Sequence, residues 1–244
     1  NRPMKKKKVA VVQTPIPNDI NCSKLLLEIL GHENVASREP VYECYDKNVQ
    51  GRVLLERGQS NAGVIAPFDL EKFPKEIKDD CFSATLTHNP SIGKIDSYLV
   101  AQYALLEACA RTVSVGSTPI AITDCLCFGN PEKPDQMWQF AQSCIAIKES
   151  CDQLRFDGLE NLPVVAGNVS FYNQSGNKAI PASPMIGCFG KTTKQNLLQN
   201  NFQHKNSNIY LVDAQHSMLG GSLLCKIMDI KNNEVGKINT SQHS

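Results

Sequence analysis

Apolar and polar positions repeat along the chain with two different periods, and these periods predict both helices and strands. Apolar residues at three- and four-residue steps predict a long helix over Ser97–Val113, where Leu99, Tyr103 and Leu106 share one side. A second long helix is predicted over Asp135–Leu154. Short apolar runs bounded by turn residues predict strands at 52–55, 62–65, 81–86 and 185–190.

Two further apolar runs differ from the others because each leads into a polar, sharply turning segment. Pro119–Ile122 is followed by Thr123 and Asp124, and Pro163–Ala166 is followed by 167–170. We expect both strands to end at these polar segments. Ligands collect at the carboxyl ends of strands in open α/β layers, so the two ends are candidate parts of one site.

The order of these elements predicts the fold class, which is α/β in the form of an α+β sandwich. The order β-β-β-α-β-α-β-β places two helices on one face of a mixed β-sheet. The other sheet face also carries apolar side chains. That face should therefore pair with a second domain or with a second copy of the chain.

Composition narrows the functional classes. The 244 residues carry a net charge of +1, which gives no reason to expect a broad nucleic-acid surface. The sequence contains neither a signal peptide nor an apolar run near the roughly 18 residues of a membrane helix. The basic run Lys5–Lys8 is predicted to be a solvated tether. Ten cysteines without a Cys-x-x-Cys pair predict reduced, mostly buried thiols in a cytoplasmic protein.

The polar residues after the two apolar runs suit the binding of a magnesium nucleotide. The Asp124 carboxylate can accept hydrogen bonds from a nucleotide or hold a water on Mg²⁺, and the Asn168 carbonyl is a hard oxygen ligand. Gly167 would let a ligand approach the backbone closely. The alternative is that Asp and Asn only form turns here. His88, beside Asn-Pro, is likewise either a general base or a turn residue.

Two long motifs resemble one family closely. They are Thr123-Asp-Cys-Leu-Cys-Phe-Gly-Asn-Pro-Glu-Lys-Pro134 and Gly167-Asn-Val-Ser-Phe-Tyr-Asn173. Weaker matches run from 34 to 50 and through 180–187. Together they resemble the C-terminal half of the synthetase subunit of phosphoribosylformylglycinamidine synthase, of the small type that works with a separate glutaminase. The resemblance covers roughly 34–190.

The resemblance implies a fold, a reaction and partners. The fold would be the N-terminal domain of an aminoimidazole-ribonucleotide synthetase, whose sheet packs against the matching sheet of the other half. The reaction is the ATP-dependent amidation of formylglycinamide ribonucleotide in purine biosynthesis, a ligase reaction through an iminophosphate. The implied partners are the missing N-terminal half, a glutaminase subunit and a small bridging subunit. The implied cofactors are ATP and Mg²⁺.

Four residues carry over from the family onto this chain. Asp124 and Gly167 match nucleotide contacts, Asn168 matches a Mg²⁺ ligand, and Ser170 matches a substrate contact. No catalytic residue is expected here, because the family's catalytic histidines lie in the other half.

The chain departs from the family pattern at several positions. Thr87-His-Asn-Pro-Ser91 lacks the family's carboxylate and arginine, Val100-Ala101 replaces a glycine pair, and Cys127 replaces an asparagine. These departures leave open whether this half has a nucleotide site of its own.

The expected organisation is a piece of a longer polypeptide in three parts. Residues 1–33 would be a linker and the tail of a preceding domain, 34–191 the synthetase-like domain, and 192–244 a connection and the truncated start of the following C-terminal-type domain. The fragment would be inactive alone, and a homodimer of the fragment in place of the missing half stays open.

Two alternative functions stay open at this point. The first is a non-catalytic module for dimerisation or structural nucleotide binding. The second, a different ATP-using enzyme of the same superfamily, is the weakest, because no cluster of carboxylates follows a strand.

Overall fold

A computed structural model describes residues 11–12, 14–46, 48–56, 58–210 and 218–238 of the chain. The basic run at 5–8 and part of each terminal region therefore lie outside the described residues. Within them, the α-helices are α1 Cys22–Gly31, α2 Glu39–Tyr42, α3 Pro90–Gly93, α4 Ser97–Val113, α5 Pro134–Gln153 and α6 Leu223–Ile227. Short 3₁₀ turns occur at Val49–Gly51, Lys75–Ile77 and Lys194–Asn196. None of the described helices is both long enough and apolar enough to span a membrane.

The strands form one six-stranded mixed sheet and a small hairpin. They are β1 Val53–Leu55, β2 Gly63–Ile65, β3 Asp80–Thr87, β4 Thr118–Cys127, β5 Val164–Ser170, β6 Gln174–Ser175, β7 Lys178–Ala179 and β8 Ser183–Thr193. The sheet order is β1-β2-β3-β8-β4-β5, and β6 pairs with β7 in the hairpin. Among the strands of the described residues, β4 and β5 run parallel, and the other pairs in the large sheet are antiparallel. The predicted mixed sheet is confirmed.

Helices α4 and α5 cover one face of this sheet, and the main core lies beneath them. The large side chains with almost no exposure in this layer include Leu105, Ile122, Phe128, Leu154, Leu162 and Ile186. We call the uncovered side of the sheet the open face. It exposes large apolar side chains, with Leu86 at 67%, Ile65 at 42% and Phe189 at 40% exposure. The apolar character predicted for the open face is therefore confirmed; its partner stays a prediction.

The bounds predicted for α4 are correct, but its buried side is not the stripe of large residues. Leu99, Tyr103 and Leu106 are only half-buried, whereas small neighbours such as Ala104 and Ala108 are buried completely. Small side chains let the helix backbone approach the sheet closely. Two β3 hydroxyls exploit this approach: Thr87 Oγ1 donates to the Ala104 carbonyl at 2.6 Å, and Thr85 Oγ1 to the Ala108 carbonyl at 3.2 Å.

The segments on either side of the predicted domain contact each other and the core. The Thr14 N–H donates to the Lys231 carbonyl at 3.2 Å, and Lys226 forms an ion pair with Glu33 at 3.3 Å. The Tyr103 hydroxyl in α4 donates to the Gly236 carbonyl at 3.0 Å, and Val235 is part of the main core. The division into parts at 33/34 and 191/192 stays a prediction. The contacts above join the residues before 34 to those after 191, and join the latter to the central layer.

The close packing of α4 on the sheet predicts that a methyl group at Gly190 destabilises the fold. A Cβ there would lie 2.4 Å from Thr112 Cγ2 and 2.6 Å from Ser83 Oγ, in the layer between β8 and α4. We expect Gly190→Ala to lower the free energy of unfolding by about 1–3 kcal/mol, the usual cost of overpacking.

The matched control is Gly63→Ala, because Gly63 lies in β2 and a Cβ there meets nothing within 4 Å. That variant should stay within about 0.5 kcal/mol of the parent. Urea unfolding of both variants measures the difference. Equal effects would show that α4 does not constrain position 190.

Candidate functional site

The two motifs form the parallel strand pair β4–β5, and both strands are longer than predicted. The polar residues Thr123 and Asp124 lie inside β4, which continues to Cys127, and 167–170 form the second half of β5. The prediction that the strands end at these polar segments is therefore wrong. The backbone groups of this part of β4 pair with β8 on one side and with β5 on the other, whatever the polarity of the side chains.

Strand geometry places the four predicted site residues on two different faces of the sheet. Asp124 pairs with Gly167, and the next residue of each strand follows as the pair Cys125–Asn168. Successive side chains on a strand point to opposite faces. Asp124 lines a cleft with residues of α5, whereas the Asn168 amide donates to Cys125 Sγ at 3.5 Å. If both strands ended at these residues, Asp124 and Asn168 would converge on one point. In the structure they lie on opposite faces and do not converge.

Asp124 lies in what we call the helix-side cleft, a cavity of about 310 Å³ between α5 and the β4–β5 edge. Its walls are largely apolar, from Leu126, Ile147, Leu162 and Val164, and Lys148 and Asp152 also line it. Cavities that bind small ligands begin at about this volume and combine apolar walls with a few polar groups. The cleft therefore has the size and chemistry for part of a nucleotide, such as its base or ribose.

Gly167 is required beside Asp124 for a steric reason. A Cβ at Gly167 would lie 2.8 Å from Asp124 Oδ1, so the carboxylate occupies the space above this glycine. The close approach predicted at Gly167 is thus made by the Asp124 side chain itself.

The position of Asp124 also changes its acidity. Burial raises the pKa of Asp124, and the backbone N–H of Asn168, which donates to the carboxylate, partly opposes the rise. The raised pKa means that the surroundings of the charged carboxylate stabilise it less well than water does. Such a group is a ready acceptor for hydroxyl or amino donors that enter the cleft.

The other face carries what we call the open-face cluster: Cys125, Cys127, Asn168 and Ser170. Cys125 Sγ lies 3.8 Å from Cys127 Sγ, and Cys127 pairs in register with Ser170. Burial raises the pKa of the Cys127 thiol, and so does its hydrogen bond with Cys125. The two residues matched to a metal ligand and a substrate contact thus share one surface, which is also the face expected to meet a second domain.

Asn173 fixes the position of Ser170 and was not singled out from the sequence. Its side-chain amide donates to Ser170 Oγ at 3.0 Å, to the Ser170 carbonyl at 2.8 Å and to the Phe128 carbonyl at 3.1 Å. The bond to Phe128 connects the turn after β5 to the end of β4. A left-handed residue, Tyr172 at φ 60°, precedes Asn173 in this turn. The sequence signal was the Asn that closes the second motif.

His88 forms a hydrogen bond to the backbone through one ring nitrogen. Its Nδ1 lies 3.1 Å from the Pro184 carbonyl oxygen and must carry the proton for this hydrogen bond. Burial lowers the pKa of His88, and the bond to Pro184 partly opposes the fall. These contacts fit the turn residue better than the general base.

None of the ten cysteines is in a disulfide in this structure, and five of them are buried. Three, including the pair in the open-face cluster, are half-buried, and two are exposed. In the described part of the chain, no three or more His, Cys, Asp and Glu side chains are grouped so as to hold a metal ion.

Comparison with known proteins gives one family for this domain. Residues 60–192 match the model of the AIR synthase related protein family, N-terminal domain. Curated relatives named phosphoribosylformylglycinamidine synthase subunit PurL include one from Methanothrix thermoacetophila, 34% identical over 85% of this chain, and one from Carboxydothermus hydrogenoformans, 34% identical over 93%. The chain spans only 26% and 29% of their lengths.

Solved structures agree with the sequence relatives. PurL of Thermotoga maritima complexed with AMPPCP matches with a TM-score of 0.55 and 26% identity, over 79% of this chain and 29% of that one. The same protein complexed with FGAR matches with a TM-score of 0.54 and 27% identity, over 66% and 24%. These matches confirm the resemblance found in the two motifs. The chain belongs to the AIR synthase related protein family and contains its N-terminal domain.

Proposed function

We propose that this chain is part of a phosphoribosylformylglycinamidine synthase and contributes nucleotide, magnesium and substrate contacts to a composite active site. The carrying observation is the 34% identity to curated relatives of that name over 85% of the chain. The reaction is the ATP-dependent conversion of formylglycinamide ribonucleotide to formylglycinamidine ribonucleotide. Relatives solved with ATP and with FGAR support both kinds of contact.

In this proposal the helix-side cleft receives the nucleoside part of ATP. The Asp124 carboxylate accepts hydrogen bonds from ribose hydroxyls or from an amino group, and the apolar walls exclude water from these bonds. The cleft is a poor place for phosphates, because a carboxylate repels them. Gly167 leaves the carboxylate free to lean over β5.

The open-face cluster then receives the charged end of the reaction. Ser170, held by Asn173, offers its hydroxyl to the substrate, and Asn168 offers one amide oxygen to Mg²⁺. Mg²⁺ is usually held by one or two carboxylates, substrate phosphates and waters, so Asn168 can supply only part of its coordination. Bound Mg²⁺ would neutralise charge on the transferred phosphoryl group.

A single nucleotide can reach both surfaces only by crossing the edge of the sheet. β5 is that edge strand, and 164–169 are exposed along their whole length. This path passes the Asp124 carboxylate, which occupies the space above Gly167 and would bond the ribose there. We therefore place the base and ribose on the helix side and the phosphates on the open face.

The remaining parts of the enzyme are proposed to lie outside this chain. The acid–base residues belong to the other half, which would cover the open face, and ammonia would come from a glutaminase subunit joined through a small bridging subunit. The structure of PurLQS from Thermotoga maritima matches this chain with a TM-score of 0.56 and 26% identity. This match supports an assembly of several subunits. The ten free thiols fit a cytoplasmic enzyme.

The alternative function is a non-catalytic module that dimerises or holds a structural nucleotide. The observation that favours it is the exposed apolar open face, where Leu86 is 67% exposed. Three results together would favour the module. The chain would form a stable dimer in sedimentation and bind ATP in a titration, and the complete enzyme would keep its activity without Asp124 and Asn168.

The first prediction concerns Asn168 in the complete synthetase. We expect Asn168→Ala to lower turnover of formylglycinamide ribonucleotide by about tenfold or more, since polar contacts to charged groups contribute about 1.5–3 kcal/mol. Steady-state assays over a range of Mg²⁺ concentrations measure this, and excess Mg²⁺ should restore part of the rate. The matched control is the exposed Asn177→Ala. Equal rates for the two variants, or turnover by this chain alone, would contradict the proposal.

The second prediction concerns the contact between Gly167 and Asp124. Gly167→Ala should push the carboxylate away from β5 and weaken ATP binding about as much as Asp124→Ala does. Since both changes act through one carboxylate, the double variant should be no weaker than either single variant, which is a strongly non-additive cycle. Calorimetric titration with ATP and Mg²⁺ measures all four proteins. Additive losses would mean that Gly167 acts independently of Asp124.

The third prediction follows from the raised pKa of Asp124. A group whose pKa rises on folding contributes stability below its unfolded pKa, about 3.9 for Asp, and loses it as the pH rises through the folded pKa. Asp124→Asn cannot ionise, so it should be more stable than the parent at neutral pH and lose this advantage in acid. Urea unfolding across a pH series tests this. A parent more stable than the variant at neutral pH would contradict the stated cause.

A further inference from the structure

Three sulfur-bearing side chains lie together on the open face, where the proposed function uses none of them. Cys125 and Cys127 are two residues apart on β4, so both point to the same face, and their sulfurs are 3.8 Å apart. Met185 in β8 is the register partner of Cys125. Partners in an antiparallel pair share a face with Cβ atoms about 4.5–5.5 Å apart, so the Met185 thioether is within reach of the two thiols.

The distance between the two thiols suits one shared metal ion. A disulfide would need sulfurs about 2.05 Å apart, far closer than in this pair. A thiophilic ion with metal–sulfur bonds of about 2.3 Å holds two thiolates about 3.8 Å apart at tetrahedral angles and about 4.0 Å apart at trigonal angles, close to the 3.8 Å observed. The pair therefore needs little movement to become a chelate.

The donor types decide which ion fits. Two thiolates and a thioether form a soft set, and soft sulfur ligands select Cu(I) over hard ions such as Mg²⁺. The other members of the open-face cluster, Asn168 and Ser170, are neutral and hard. Zn²⁺ sites are normally completed by further Cys, His or carboxylate ligands, and the described residues group no third such side chain with this pair.

We propose that Cys125, Cys127 and Met185 form a binding site for a soft monovalent ion of the Cu(I) class. Each thiol loses its proton when its sulfur binds the ion, so loading releases two protons and involves no change of oxidation state. The ion binds the Cys125 sulfur, which accepts a hydrogen bond from the Asn168 amide at 3.5 Å in the metal-free chain. If the proposed function holds, an ion here also disturbs Asn168 and inhibits the synthetase; binding itself does not depend on that function.

The test is an anaerobic titration of the chain with Cu(I) in competition with a coloured Cu(I) chelator. A phosphine keeps the thiols reduced, and a Cys22→Ser, Cys44→Ser background removes the two exposed thiols. We expect one Cu(I) per chain. Cys125→Ser and Cys127→Ser should each abolish stoichiometric binding, and Met185→Leu should weaken it by about tenfold, because a neutral thioether is a weaker ligand than a thiolate.

The matched control is Cys144→Ser, which removes a half-buried thiol that lines the helix-side cleft instead. It should bind Cu(I) like the background protein. Unchanged stoichiometry in both Cys125→Ser and Cys127→Ser would overturn the site, and tighter binding of Zn²⁺ than of Cu(I) would overturn the assignment of the ion.

A second measurement keeps the proposal testable should a serine variant fail to fold. The unmutated chain is alkylated with and without one equivalent of Cu(I), and each cysteine is followed by peptide mass spectrometry. Selective protection of Cys125 and Cys127, with Cys144 unaffected, is expected. Equal labelling of the pair in both samples would refute the site without any substitution.

Discussion

One bulge in the β4–β5 ladder determines which face each candidate functional group on β5 points to. Ile122 pairs with Val164, but the next residue, Thr123, pairs with Ala166, so Val165 is an extra residue in β5. Without it, Asn168 would pair with Leu126, whose side chain is in the main core under the helices. A shift of one residue moves every following side chain to the other face. The bulge therefore puts Asn168 on the open face, and the register continues to the bond from the Phe128 N–H to the Ser170 carbonyl at 2.9 Å.

The sequence predicts the elements of this fold better than it predicts the ends of the two strands that matter most. Periodicity over many residues located α4 and α5 to within a residue or so, because each long helix repeats its pattern through several turns. Asp124 inside β4 looked like a strand end because polar residues usually close strands. It stays in the strand because its side chain enters a cleft while its backbone pairs on both sides. Nothing in the run Val164-Val165-Ala166 indicates a bulge, so the face assignment required the structure.

The helix-side cleft has a cost in stability that a purely structural role would not explain. A carboxylate with a raised pKa, partly enclosed by apolar side chains, destabilises its own charged form. The chain also keeps a glycine in an exposed edge strand, where a side chain would strengthen packing, and that glycine makes room for the carboxylate. The Asp124 carboxylate and Gly167 are each unfavourable for stability, and each accommodates the other. Such neighbouring pairs are typical of sites that are arranged for a ligand.

The open face combines two kinds of donor that differ in what else they require. Asn168 is a hard donor, and Mg²⁺ needs further hard oxygens, which phosphates, water and a second domain would supply in the proposed enzyme. The sulfurs of Cys125 and Cys127 already lie at the separation that one soft ion requires, so they need no partner chain. A domain packed on the apolar open face would complete the first kind of site and restrict access to the second. The assembled and isolated forms of the chain should therefore differ in which metal they bind, since assembly adds hard ligands beside Asn168 and restricts access to the sulfur pair.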